Sequence, residues 1–138
     1  MKAFLDTNVV MDLLLDRQPF AAEAERLWFL AERGRITGFV SALSFPNVYC
    51  VARKARGHEA ALTMLKGMRR SLTVVECDDR ILQQAIDADF TDFEDAIQYY
   101  SAVRAETVCM ISRNPRHFPK GSLPVLSPGD FFAAHTFE

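Results

Sequence analysis

The sequence has little of what would mark a secreted, membrane-bound or strongly basic protein. Its three cysteines, Cys50, Cys77 and Cys109, are odd in number, scattered and without ligand-like spacing. That pattern argues against a disulfide scaffold or a cysteine zinc site and reads as small buried side chains in a reducing compartment. No apolar run is long enough to cross a bilayer, and Lys2-Ala3-Phe4-Leu5 meets Asp6 before an apolar signal core can form. The expectation is a cytoplasmic protein with no membrane partner. Net positive charge is also missing, since 16 Lys and Arg stand against 18 Asp and Glu for a formal charge of −2. The surface as a whole cannot attract a nucleic acid, so any such contact must run through a local patch or through metal ions. Internal repeats, low-complexity tracts and linkers are lacking too, and residues 1–138 are expected as one domain.

What the sequence does have is an alternation of short apolar runs and helical patterns. Lys2 to Leu5 reads as a strand that stops at Asp6-Thr7-Asn8, and Val9 to Leu15 as a short buried helix, apolar nearly all round, capped by Asp6 or Thr7. Pro19 and Phe20 open a second helix running to about Glu32, with Gly34 ending it. Ile36 to Ser41 is a second strand, followed by helices over 45–54 and 58–70. Leu72 to Cys77 is a third strand, and Asp78-Asp79 starts a helix to Ala88. A helix from Thr91 or Asp92 to about Ala105, strands over 107–111 and 123–126, and a last helix after Ser127-Pro128 complete the pattern. Strands alternating with helices predict a three-layer α/β/α fold around a parallel sheet of four to five strands.

In such sheets ligands sit beyond the carboxyl ends of the strands. Asp6 ends the first strand, Ser41 the second, with Asn47 one to two helical turns beyond, and Ser112-Arg113-Asn114 follow the fourth. Asp92 and Asp95, three residues apart, share one face at a helix start, while Glu94 points elsewhere. Carboxylates gathered at one pocket repel unless a cation neutralises them, and hard divalent ions take such oxygen ligands. Two such ions can clamp a phosphodiester, activating water and stabilising the leaving oxygen. Each residue also has a plainer reading. Asp6 and Asp92 suit helix caps, Asp95 a first-turn acid facing the helix dipole, and Asn8, Asn47 and Asn114 turns or caps. The functional argument rests on the set.

The set also carries a resemblance. Phe4-Leu5-Asp6-Thr7-Asn8-Val9-Val10-Met11-Asp12-Leu13-Leu14 resembles the opening motif of PIN domains. Ser41-Ala42-Leu43-Ser44-Phe45-Pro46-Asn47 resembles their second motif and Asp92-Phe93-Glu94-Asp95-Ala96-Ile97-Gln98-Tyr99 their third. Ile111 to Phe118 is similar to the fourth, and Leu123 to Pro128 to the closing strand and helix. The likeness extends to VapC-type toxins of toxin–antitoxin modules. It implies a ribonuclease using Mg2+ or Mn2+, an RNA substrate, an antitoxin partner and a homodimer. By the same resemblance Asp6 is the central metal ligand, Asp95 the second carboxylate and Asp92 a third acid. Asn47 joins the catalytic set, Thr7, Asn8 and Ser41 support it, and Ser112 with Asn114 borders it.

The chain departs from the family pattern at Asn47, where many members have glutamate, at Asn114, where many have aspartate, and at His117, where an acid is common. A subgroup with asparagine in the second motif and an Asp-Phe-Glu-Asp cluster is the nearer resemblance, with Asp92 compensating. An amide oxygen can ligate a metal without adding charge, so weaker metal binding than at a four-acid site is expected. The alternative this raises is a weak or inactive PIN-like module that binds RNA or protein. Arg113, Arg116 and Lys120 flank the acidic rim and are candidates for RNA contact. His117, beside Pro115 and Phe118, reads as partly exposed surface. A phosphatase of the haloacid-dehalogenase type would want a second acid two residues after Asp6, where this chain has Asn8.

Overall fold

Period-two alternation along the strands decides how the layers form. In the computed structural model, which describes residues 1–137 and so stops one short of the expected 1–138 unit, β1 (Lys2–Leu5) turns Ala3 and Leu5 to one side and Phe4 to the other. The strand β4 (Cys109–Ile111) does the same, with Cys109 and Ile111 on one side and Met110 opposite. Each face therefore needs its own cover of helices. One is met by α1 (Thr7–Leu14), α2 (Ala21–Glu32), α3 (Ser44–Arg56), α4 (His58–Ser71) and α7 (Pro128–Ala134), which contribute Val9, Leu27, Val48, Met68 and Phe131. The other is covered by α5 (Asp79–Ala88) and α6 (Phe93–Arg104) through Ile81, Ala85, Ala96, Ile97 and Ala102. Burying each large apolar side chain contributes about 1.5–3 kcal/mol before chain entropy is counted.

The sheet is parallel throughout, with β2 (Thr37–Ser41), β3 (Thr73–Val75) and β5 (Val125–Leu126) giving the order β3-β2-β1-β4-β5. The three-layer α/β expectation holds, with five strands. The chain winds from β1 toward β3 on one side and then crosses to β4 on the other. The crossover makes the β1–β4 boundary the switch point, where helices leave in opposite directions and a crevice opens past the strand ends.

Several boundaries are tighter than the sequence pattern suggests. The third, fourth and fifth strands are shorter than 72–77, 107–111 and 123–126, because register with a neighbour ends where the chain turns away. Pro124 still accepts a hydrogen bond from Met110 N but has no N–H to donate, so pairing at β5 starts only at Val125. The second helix begins at Ala21 rather than Pro19, since residues 17–20 form a turn in which Phe20 N donates to Arg17 O. A short 3-10 turn over Pro115–His117, not foreseen from the sequence, follows β4.

Candidate active site

Asp6 is where the cleft starts. It immediately follows β1, its N–H donates to Ile111 O on the neighbouring strand, and its carboxylate caps α1 by accepting from Asn8 N at 3.4 Å. The plain capping reading is therefore right, and it is incomplete. The second oxygen, Oδ2, accepts from Ser112 Oγ at 2.7 Å, across the switch point, and the residue is only 3% exposed. Ser112 Oγ in turn accepts from Asn114 N at 3.1 Å. Asp6 is thus a carboxylate held on both oxygens at the floor of a crevice, not a freely rotating surface acid.

Across from it stands the start of α6. Asp92 is the N-cap, its Oδ1 accepting from Asp95 N at 3.1 Å, and this fixes the first turn so that Asp95 faces inward. Asp6, Asn8, Asn47, Asp92, Glu94, Asp95 and Gln98 line one open cleft of about 330 Å³, with Thr7, Met11, Cys50 and Val51 completing its walls. The cleft brings together every acid expected from the sequence. It also corrects one reading, because Glu94 does not point elsewhere. Its Oε2 accepts from Asn47 Nδ2 at 3.3 Å, so the acid reaches across from α6 to the asparagine on α3.

The electrostatics of the cleft follow from this crowding. Burial raises the Asp95 carboxyl from 3.8 to about 6, with Asp92, Asp6 and Glu94 adding repulsion and His117 opposing them. His117 Nδ1 lies 3.7 Å from Asp95 Oδ2 while most of its side chain remains exposed. The surface reading of His117 is right about exposure, and the ring also borders the site. A cation among these oxygens would relieve the repulsion, and the donors, carboxylate and amide oxygens, are those preferred by Mg2+ and Mn2+. The residues fit such an ion provided that water completes its shell. Among the described residues, no group of three His, Cys, Asp or Glu side chains is arranged to hold an ion unaided.

Five expected residues stand elsewhere or have other duties. Ser41 is fully buried, and its Oγ accepts from Leu43 N at 3.1 Å, so it shapes the turn into α3 and stays out of the cleft lining. Arg113 does not extend along an RNA path from the acidic rim. Its Nε sits 2.8 Å from Asp12 Oδ2, and its guanidinium lies 4.1 Å from the centre of the Phe20 ring. Arg116 and Lys120 remain exposed and line a separate surface pocket of about 580 Å³ with Phe118 and Leu123, beside the 3-10 turn. Asn114 is exposed, and its backbone N–H, rather than its amide, is what bonds toward the site.

Gln98, in the cleft lining, and Asp12, on the helix that Asp6 caps, were missed by reading along the chain. Gln98 is 3% exposed, and its Oε1 accepts from both Thr7 N, at 2.8 Å, and Thr7 Oγ1, at 3.1 Å, while that hydroxyl also bonds Ser44 Oγ. Its spacing of three from Asp95 was a usable signal. Asp12 was passed over as part of an apolar helix, although a lone acid on a buried face demands a cationic partner.

Comparison with known proteins agrees with the geometry. No curated protein matches the sequence significantly. A toxin–antitoxin complex from Klebsiella pneumoniae is 20% identical with a TM-score of 0.68, covering 91% of this chain and 97% of that one. The DNA-bound VapBC complex of Salmonella typhimurium is 15% identical with a TM-score of 0.69, covering 93% and 98%. VapC20 of Mycobacterium tuberculosis, a toxin that cleaves the sarcin–ricin loop, is 18% identical with a TM-score of 0.63 and covers 78% and 86%. At these identities the likeness establishes the fold. A family model for the PIN domain matches residues 2–116, which span β1, the cleft and the loop beyond β4, and the chain belongs to the PIN domain family.

Proposed function

We propose that this PIN domain is a metal-dependent endoribonuclease and the toxin of a toxin–antitoxin pair, in the subgroup with asparagine in the second motif. One observation carries the reading: Asp6, Asp92, Glu94 and Asp95 converge with Asn47 on one cleft at the switch point, where burial, with repulsion from the neighbouring acids added, lifts Asp95 to about 6. Asp6 and Asp95 would hold Mg2+ or Mn2+, with Asp92 and the free oxygen of Asn47 within the same cleft. When bound, the ion would lower the pKa of water and offset phosphate charge. The protein's own contribution is positional. Asp6 is fixed by Asn8 N and Ser112 Oγ, Thr7 is fixed by Gln98, and the acids of α6 are held in line by the Asp92 cap. The acid-lined mouth would repel a phosphodiester until a cation is present, so substrate binding and metal binding are coupled.

The antitoxin partner is supported by neighbours that are themselves toxin–antitoxin complexes, and a homodimer is part of the same reading. The competing reading is an inactive binding module. It is favoured by Asn47 and by the lack, among the described residues, of a three-residue ligand group. Purified protein incubated with a structured RNA and Mn2+ separates the two. Cleavage lost in Asp6→Asn and Asp95→Asn variants that keep the wild-type melting profile supports the nuclease. Undiminished cleavage in both variants, or RNA binding without Mn2+ binding, overturns it.

A further inference from the structure

Asp12 sits on α1 with 1% of its surface exposed, on the helix that Asp6 caps. A buried carboxylate costs several kcal/mol unless a cation meets it. Arg113 supplies one at 2.8 Å through Nε, and Arg17 approaches to 4.0 Å through its terminal nitrogen. The Arg113 guanidinium is also covered by the Phe20 ring, 4.1 Å away. Phe20 is held in place by the turn after α1, in which Arg17 N donates to Asp12 O and Phe20 N to Arg17 O. The arginine is therefore gripped by charge on one side and an aromatic face on the other. A buried ion pair of this kind adds little net stability over an apolar pair of similar volume, which leaves orientation as its distinctive effect.

What it orients is the next residue in the chain. Ser112 precedes Arg113, and its Oγ donates to Asp6 Oδ2 at 2.7 Å. We propose that Asp12 and Arg113 are positioning residues for Asp6: the bridge locks the segment after β4 onto α1, and Ser112 passes that constraint to the carboxylate at the cleft floor. The consequence for metal binding rests on the nuclease reading; the consequence for the metal-free site does not.

The test compares Arg113→Met with the double variant Asp12→Asn/Arg113→Met, which leaves no unpaired buried charge, in the wild-type and Ser112→Ala backgrounds. Mn2+ affinity by calorimetry is expected to weaken about 10-fold in the wild-type background, the lower end for partners that orient a metal ligand. In Ser112→Ala the same change adds less than about 2-fold, because both act through one hydrogen bond. In metal-free protein, amide exchange at Asn8 and Asn114, which bond Asp6 and Ser112, is expected to accelerate while Val40 in the core strand stays protected. A lower melting temperature with unchanged exchange at Asn8 and Asn114 makes the bridge a brace only and overturns the proposal. An undiminished effect in Ser112→Ala overturns the route through Ser112. If wild-type protein binds no Mn2+, or binds it without need of Asp6, the nuclease reading fails, and the exchange arm alone decides the positioning role.

Discussion

Replacing Asp95 with asparagine keeps the shape of the side chain at the α6 entrance and removes its charge, so it measures the cost of burying that charge beside other acids. The folded-state value of about 6 lies above the ordinary 3.8. The native state therefore binds a proton that the unfolded chain has released between those two values, and stability falls as pH rises through that window. Above pH 6 the full cost is present; near pH 4 it is gone. At about 1.36 kcal/mol per unit the shift corresponds to about 3 kcal/mol. Solvent at the open mouth screens part of that, with 17% of the Asp95 side chain exposed. An effect of about 1–2 kcal/mol is the working figure. In chelator at pH 7.5, Asp95→Asn is accordingly expected to melt higher than wild type by about 3–7 °C. At pH 4.5 most of that advantage disappears, because wild-type Asp95 is then largely protonated. Saturating Mn2+ should reverse the order at pH 7.5 by stabilising the wild type more than the variant. Equal melting of the two proteins at pH 7.5 in chelator would refute the claim that the buried charge is costly. So would a gain that persists unchanged from pH 4.5 to 7.5, which would point to packing rather than charge.

Gln98→Met removes the acceptor for the buried Thr7 N–H, and urea denaturation should show a loss of about 1–3 kcal/mol, with RNA cleavage reduced as α1 loosens from α6. Asn47→Glu places a carboxylate against Glu94, so metal-free stability at neutral pH should drop by about 0.2–1 kcal/mol while calorimetry shows tighter Mn2+ binding. Cys50 is exposed and lines the cleft, whereas burial pushes the Cys109 thiol up to about 11. Brief maleimide treatment followed by mass spectrometry should therefore find Cys50 modified and Cys109 untouched, and the Cys50 adduct should block Mn2+ binding.

Much of the fold was legible because its main determinants are local. The unbroken apolar run Ala3-Phe4-Leu5 announces a strand buried on both faces, and Asp6, Asp78 and Asp92 each cap the helix that follows them. The acids of the cleft were legible as a set because strand ends and helix starts converge at a switch point in any parallel sheet. What stayed hidden depends on side chains meeting across long stretches of sequence. Ser112 and Asp6 are bonded 106 positions apart, and Gln98 and Thr7 91 apart. Arg113 shows the same limit in reverse. From the sequence it is one more cation near a rim, and only the arrival of Asp12 and Phe20 from the first helix and its turn assigns it inward.

Glu94 gives Asn47 a role that the sequence did not show. It reaches Asn47 from another helix, and the Asn47 amide is the donor that holds the acid at the cleft. The negative charge of the cleft is unevenly placed. Asp92, Glu94 and Asp95 concentrate it at the N-terminus of α6, with Asp6 alone on the facing strand end. A helix N-terminus is the place where extra carboxylates cost least, since the unpaired N–H groups and the macrodipole favour them. The arrangement couples two roles in one turn: the Asp92 cap that starts α6 also sets where Asp95 points, so helix stability and cleft geometry cannot be altered independently at that residue.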